Sequence, residues 1–297
     1  QTHTHTATRR PTTMGVMDVI VSSGSTMMAG GLEPLCLGKF TENLKMEKQR
    51  TGAPYPKIIR MFVSRGVPGI MAGAVPWGVL LGSSKGLFFG LGKATGEAVL
   101  PPWISGKKRA VALGAFAGAF QGVGIAPFLL ASTRVNQAIA QGNQAATSLG
   151  YSFTILGDVI RKEGVQVLTR GMGTNAFKRA LDWVVRFYIR ETLVEPIKAR
   201  KSKGLKAGQK VQLSDWDKLW TSLAAGGISV YVSTPLDRLL PLLQQRDSSK
   251  DTVTLLKEQF KGGLPKLYAG AVARSAHAAL HVCFLMFVGD KIKALFK

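Results

Sequence analysis

His277 and His281 stand four residues apart, a spacing that puts two imidazoles on one helix face and lets them ligate a metal. No carboxylate or third ligand falls within that motif. The expectation is therefore histidines that line a cavity or pack, with no metal bound. A second set is Lys178, Arg179, Asp182, Arg186 and Arg190, which make a basic stripe along one helix. Such a stripe would draw an anionic solute into a membrane bundle. It reads equally well as a local stack of ion pairs, because Asp182 stands four residues from both Lys178 and Arg186. Paired catalytic carboxylates, a nucleophile–base set, a P-loop and a dinucleotide fingerprint are all missing, so no enzyme activity is expected.

The elements that would position these residues are apolar. Hydrophobic residues make up 46% of the 297 and charged residues 19%, and mean hydropathy is +0.13. A net charge of +22 suits a polyanionic partner: anionic lipid, acidic metabolites or nucleic acid. Nucleic acid is disfavoured, since no zinc-finger spacing, RNP-like stretch or recognition helix appears. Cys36 and Cys283 cannot form a disulfide framework. The start, QTHTHTATRRPTT, is either the remnant of a processed targeting segment or a disordered tail.

Uncharged runs occupy Val19–Leu32, Val67–Ser84, Ala110–Thr133, Leu219–Leu236 and Ser275–Gly289. A sixth, weaker segment is Thr174–Leu193, which holds the basic stripe. Most fall short of the roughly 20 clean apolar residues of a lipid-exposed span, so their charges would have to face a bundle interior. Gly114, Gly118 and Gly122 form overlapping GxxxG steps, and small residues let membrane helices approach closely.

The segments repeat. LEPLCLGK, IAPFLLAS and STPLDRLL place Pro34, Pro127 and Pro235 at roughly hundred-residue intervals, each ending an apolar run. Downstream, SRG, TRG and YAG end at Gly66, Gly171 and Gly270, each before another apolar segment. Between the two markers lie amphipathic stretches: YPKIIRMFVSR, TILGDVIRKEG and DTVTLLKEQFKG. The chain reads as a tail over residues 1–13 and three repeats over 14–100, 101–210 and 211–297, forming one integrated domain.

These motifs resemble the mitochondrial carrier family, whose repeats carry Pro-x-acid-x-x-base and then an acidic-Gly segment ending in aromatic-base-Gly. EGVQVLTRG (Glu163–Gly171) fits apart from Thr169 in the aromatic slot. GGLPKLYAG (Gly262–Gly270) fits with its acid and base missing. The resemblance implies an all-α membrane protein: six transmembrane helices in three pseudo-threefold repeats, with short matrix amphipathic helices. It also implies a multi-pass place in the mitochondrial inner membrane, with both termini facing the intermembrane space.

The resemblance further assigns slots. The matrix gate pairs Cys36 with Ser132, Leu129 with Leu240, and Asp237 with Lys39, the last being its one intact ion pair. The intermembrane-side gate keeps Glu191 with Lys293. It leaves Asp290 opposite Phe89, with Lys85 or Lys93 in reach, and it has Gly86 opposite Val194. Substrate contacts fall at Leu81, Lys178–Arg179 and His277–Ala278, beside Asp182 and Arg186. Cardiolipin phosphates would be held at Arg65–Gly66, at Arg170–Gly171 and, less strongly, at Gly270, where helix N-termini favour anions. Cardiolipin is the one bound lipid expected, and no cofactor is.

Slots that have lost both partners, and apolar contact positions, lead to the expectation of a non-transporting accessory subunit of a respiratory-type inner-membrane complex. The alternative is an active carrier of a small anionic metabolite. The basic loop KARKSKGLKAGQK (Lys198–Lys210) would suit docking of a partner or anionic lipid, with a merely solvated loop as the default reading.

Overall fold

In the computed structural model, the structure describes residues 16–33, 38–64, 80–140, 149–203, 211–237, 239 and 252–295. All regular structure among them is helical. The first part of the chain gives α1 (Val16–Leu32), α2 (Gly38–Thr51), α3 (Tyr55–Ser64) and α4 (Ser83–Val99). The middle gives α5 (Gly106–Gly124), α6 (Ala126–Ala140), α7 (Leu149–Glu163), a 3-10 turn at Val165–Thr169 and α8 (Met172–Ser202). The last part gives α9 (Asp215–Asp237), α10 (Thr252–Lys261), α11 (Gly263–Leu267) and α12 (Ala271–Cys283), then a π-helical segment at Phe284–Val288 and α13 (Gly289–Leu295).

The helices pack in a closed circuit. α1 lies against α4, α4 against α5, α5 against α8, α8 against α9, and α9 against α12. The circuit closes where α12 meets α2 and α13 meets α1. Side chains from non-neighbouring members of this ring can therefore meet only across its interior.

Small residues hold the ring together. A Cβ on Gly118 would lie 2.4 Å from the Arg179 backbone oxygen, and one on Gly122 would lie 2.5 Å from Ala176 Cα. The glycine steps of α5 thus bring its backbone directly onto α8, as small-residue stripes do between membrane helices. Chain breaks follow local chemistry. The α5–α6 break falls at Ile125, two residues before Pro127, which sits in the first turn of α6, where its missing N–H costs nothing. Gly171 and Gly270 cap α8 and α12 with left-handed φ of 73° and 84°, which a residue with a Cβ resists. α9 starts with a reciprocal cap: Ser214 Oγ accepts from the Asp217 N–H at 3.2 Å, and the Asp217 carboxylate accepts from the Ser214 N–H at 2.9 Å.

The amphipathic stretches form helices that seat against the ring. α3 buries Ile58 and Phe62, four residues apart, with Leu44 and Ala273. α7 is held on α6 by a 3.1 Å pair between Arg134 and Glu163, the acid of the acidic-Gly segment. No described helix is long and apolar enough to cross a membrane. The reason is local: α8 carries Lys178, Arg179, Asp182 and Arg186 in its middle, and α4 carries Lys85 near its start.

Candidate functional site

Asp237, in the last turn of α9 and two residues past Pro235, is the hub of the interior. Its carboxylate lies 2.7 Å from Lys178 Nζ of α8, 3.1 Å from Arg274 Nε of α12 and 3.5 Å from Lys45 Nζ of α2. Asp182 extends the cluster, 3.4 Å from Lys178 and 3.6 Å from Arg274. Arg274 also donates to Ser233 Oγ, Thr234 Oγ1 and the Val230 carbonyl of α9, at 3.0, 2.9 and 3.2 Å. α8 and α12 are not neighbours in the ring, and neither are α9 and α2. The cluster therefore crosses the interior and ties four helices together at the end where α8 and α12 begin.

Along the α1–α12 seam lies a second polar group. Glu33 sits 2.7 Å from His281 Nδ1 and 3.6 Å from His277 Nδ1. His277 Nδ1 also faces the Gly38 carbonyl at 3.1 Å and Thr41 Oγ1 at 3.2 Å. Its Nε2 faces Glu42 at 3.9 Å, and Glu42 pairs with Lys45 at 2.9 Å. Among the described residues no group of three or more His, Cys, Asp or Glu side chains is arranged to hold a metal ion.

Further along α8 the interior turns aromatic. Trp183 is fully buried and stacks on Phe89 of α4, with ring centroids 4.0 Å apart. Because α4 and α8 are separated by α5, this stack also crosses the ring. Trp183 Nε1 donates to Gln121 Oε1 of α5 at 3.0 Å, and Gln121 Nε2 donates to the Lys85 carbonyl at 2.8 Å. Arg186 lies over the Trp183 ring at 4.9 Å and donates to Ser229 at 3.1 Å.

The opposite end shows no cross-ring ion pair among the described residues. Lys107–Glu195 at 3.8 Å joins α5 to α8; Lys201–Asp217 and Lys291–Asp215, each 2.5 Å, join α9 to α8 and to α13. The expected Glu191–Lys293 pair is not among the ion pairs of the described residues. Glu191 is taken up by Arg190 at 3.6 Å and Lys198 at 3.9 Å, both on its own helix. Asp290 is exposed and Lys85 is buried. Gly86 cannot carry a gate side chain, since a Cβ there would sit 2.0 Å from the Thr26 backbone oxygen.

The other expected positions fall as follows. Leu81 is buried against Ile125, with Leu129 at the edge of the same cluster, and so lies outside the charged groups. Lys178, Asp182 and Arg186 are buried together, with Arg179 beside them and partly exposed. Arg170, Gly171 and Gly270 lie at the α8 and α12 N-termini. Cys36, Leu240, Arg65 and Gly66 lie outside the described residues, as do the side chains of Lys39 and Ser132. Sequence reading passed over Glu33, Glu42, Lys45 and Arg274 as site residues. Their signal was a charge on or beside an apolar run: Glu33 directly precedes Pro34, and Arg274 stands four residues after Gly270.

A ring of six long helical units enclosing buried, cross-linked charges defines a helical bundle built around a polar interior. Residues 108–201 match the mitochondrial carrier protein family. Across 239 residues the chain is 23% identical to the citrate/oxoglutarate carrier protein of Saccharomyces cerevisiae, covering 77% of this chain and 74% of that one. Both likenesses are to mitochondrial carriers.

Proposed function

We propose that this protein is a working carrier, not an enzyme, and moves a small carboxylate anion across the inner membrane by alternating access. The observation that carries the reading is the charged interior. Among the described residues, Lys45, Lys85, Lys178, Arg179, Arg186 and Arg274 outnumber Glu33, Glu42, Asp182 and Asp237 by two, and the charges cross-link α2, α8, α9 and α12. An interior with surplus cations favours a carboxylate that replaces some of these pairings as the helices part. The yeast relative's name, a carrier of citrate and oxoglutarate, supports this class of cargo.

The accessory-subunit expectation rested on gate slots that had lost their charges. The structure weakens that ground, because Asp237 draws cations from positions outside the slots. In this reading six helical units span the bilayer, their charges turned inward, with both termini in the intermembrane space and the Asp237 hub at the matrix side. The left-handed glycine caps at Gly171 and Gly270 support lipid-phosphate contacts there, with cardiolipin the inner-membrane candidate. The test is purified protein in liposomes preloaded with unlabelled citrate or 2-oxoglutarate. Uptake of the labelled anions above that of empty liposomes is expected. Flux at the empty-liposome level with both anions would overturn the reading in favour of an accessory role.

A further inference from the structure

We propose that the His277–His281 pair carries a proton together with the anion, making the carrier an anion–proton symporter; this rests on the transport reading above. Both imidazoles have their Nδ1 engaged by acceptors. His281 Nδ1 donates to Glu33 at 2.7 Å, and His277 Nδ1 faces the Gly38 carbonyl and Thr41 Oγ1 at 3.1 and 3.2 Å. The hydrogen therefore sits on Nδ1 in each ring, and each Nε2 keeps a lone pair. His281 Nε2 is buried without a hydrogen-bond partner. His277 Nε2 faces Glu42 Oε2 at 3.9 Å, and that oxygen also lacks a hydrogen-bond partner. A lone pair opposite a carboxylate oxygen is repulsive; a proton on His277 Nε2 turns the same approach into an ion pair.

The pair is wired to the hub. Glu42 is shared by His277 and Lys45, and Asp237 is shared by Lys45, Lys178 and Arg274. The charged groups around the imidazoles come from every helix that faces them. Glu33 of α1 and Glu42 of α2 favour the protonated form; Lys45 of α2, Lys85 of α4 and Arg186 of α8 oppose it. Asp237, from α9, neutralises part of that positive set. Asp290 of α13 is exposed at the other end, and Lys291 pairs there with Asp215. An anion bound at Lys178 and Arg274 adds negative charge beside this balance and draws a proton onto the imidazoles. By reciprocity the proton tightens anion binding. The proton comes from water on the side where the cavity is open, binds Nε2, and is returned to water on the other side as the anion leaves. No covalent bond changes.

The test uses the full chain in liposomes with the membrane potential clamped to zero, labelled 2-oxoglutarate or citrate as probe, and an imposed pH difference of one unit. A single coupled proton gives about a tenfold higher equilibrium accumulation on the alkaline side, since one pH unit is worth a factor of ten. His281→Gln and His277→Gln should bring that ratio towards one at whatever rate they still transport. In detergent, adding the anion to unbuffered wild-type protein should take up about one proton per site, read by a pH indicator. This second measurement stands if the variants fail to fold. Flux in wild type that ignores the pH difference, or anion binding without proton uptake, overturns the symport proposal and leaves the transport reading intact. No flux under any gradient overturns both.

Discussion

Asp237→Leu should loosen the charged end of the ring. The carboxylate meets Lys178, Arg274 and Lys45 at 2.7, 3.1 and 3.5 Å. At an effective dielectric of about 20, unit charges at such distances attract by roughly 5–6 kcal/mol per pair before desolvation. After desolvation, removing one partner of a buried pair costs about 3–5 kcal/mol. The upper end applies here, because three cations are left facing one another. With about 2–4 °C of melting temperature per kcal/mol for a chain of this size, Tm in detergent should fall by about 10–20 °C. The companion variants are Lys178→Leu and the double Asp237→Leu with Lys178→Leu. Removing both partners leaves fewer uncompensated charges, so the double should lose at least about 1 kcal/mol less than the two singles together. Additive losses, within about 0.5 kcal/mol, would refute the hub.

Trp183→Ala should cost about 3–5 kcal/mol in thermal unfolding, as a fully buried aromatic replaced by a cavity. Trp183→Phe keeps a ring against Phe89 but leaves Gln121 Oε1 without its donor, a loss of about 1–3 kcal/mol; equal stabilities for wild type and Trp183→Phe would refute the role given to that hydrogen bond. Gly118→Leu should prevent α5 from seating on α8, while Gly157→Ala, with nothing within 4 Å of its Cβ, should be stabilising by about 0.5–1 kcal/mol; similar melting curves for the two variants would contradict the packing argument. Asp217, ahead of the apolar run of α9, has its carboxyl held down to about 2, first by the Lys201 hydrogen bond and then by Ser214. Because the folded value is depressed, its contribution is complete above about pH 4 and is lost as pH falls towards 2. Asp217→Asn should therefore flatten the acid loss of stability in that window, and an unchanged acid profile would count against the cap.

The chain's helical character and its likeness to mitochondrial carriers could be read from sequence because they rest on patterns that survive substitution: apolar runs, prolines that end them, and glycines that start the next helix. Site residues were legible only in part. Lys178, Asp182 and Arg186 could be seen as a stripe, since i and i+4 residues share a helix face whatever surrounds them. Glu33, Glu42, Lys45 and Arg274 could not be placed, because their partners lie on other helices and no spacing within one segment reports a contact between two. The Glu191–Lys293 expectation rests on slots in the same way. A slot fixes a height on each helix, but Arg190 and Lys198 lie closer to Glu191 along its own helix.

That difference between slot and contact bears on how the ring could cycle. Counting charges slot by slot finds a gate with few ion pairs and suggests a bundle that no longer moves. In the structure, Gly86 gives up its side chain to let α4 approach α1, and Phe89, three residues on, crosses the ring to stack on Trp183. An apolar stack of this kind contributes on the order of 1 kcal/mol beyond simple burial and leaves no unpaired charge when it parts. An ion pair that parts inside a membrane leaves two. Charges and aromatics adjoin along the interior, since Asp182 directly precedes Trp183 and Arg186 lies over its ring. On the transport reading, alternating access would require the charged and the aromatic closures to open in turn rather than together.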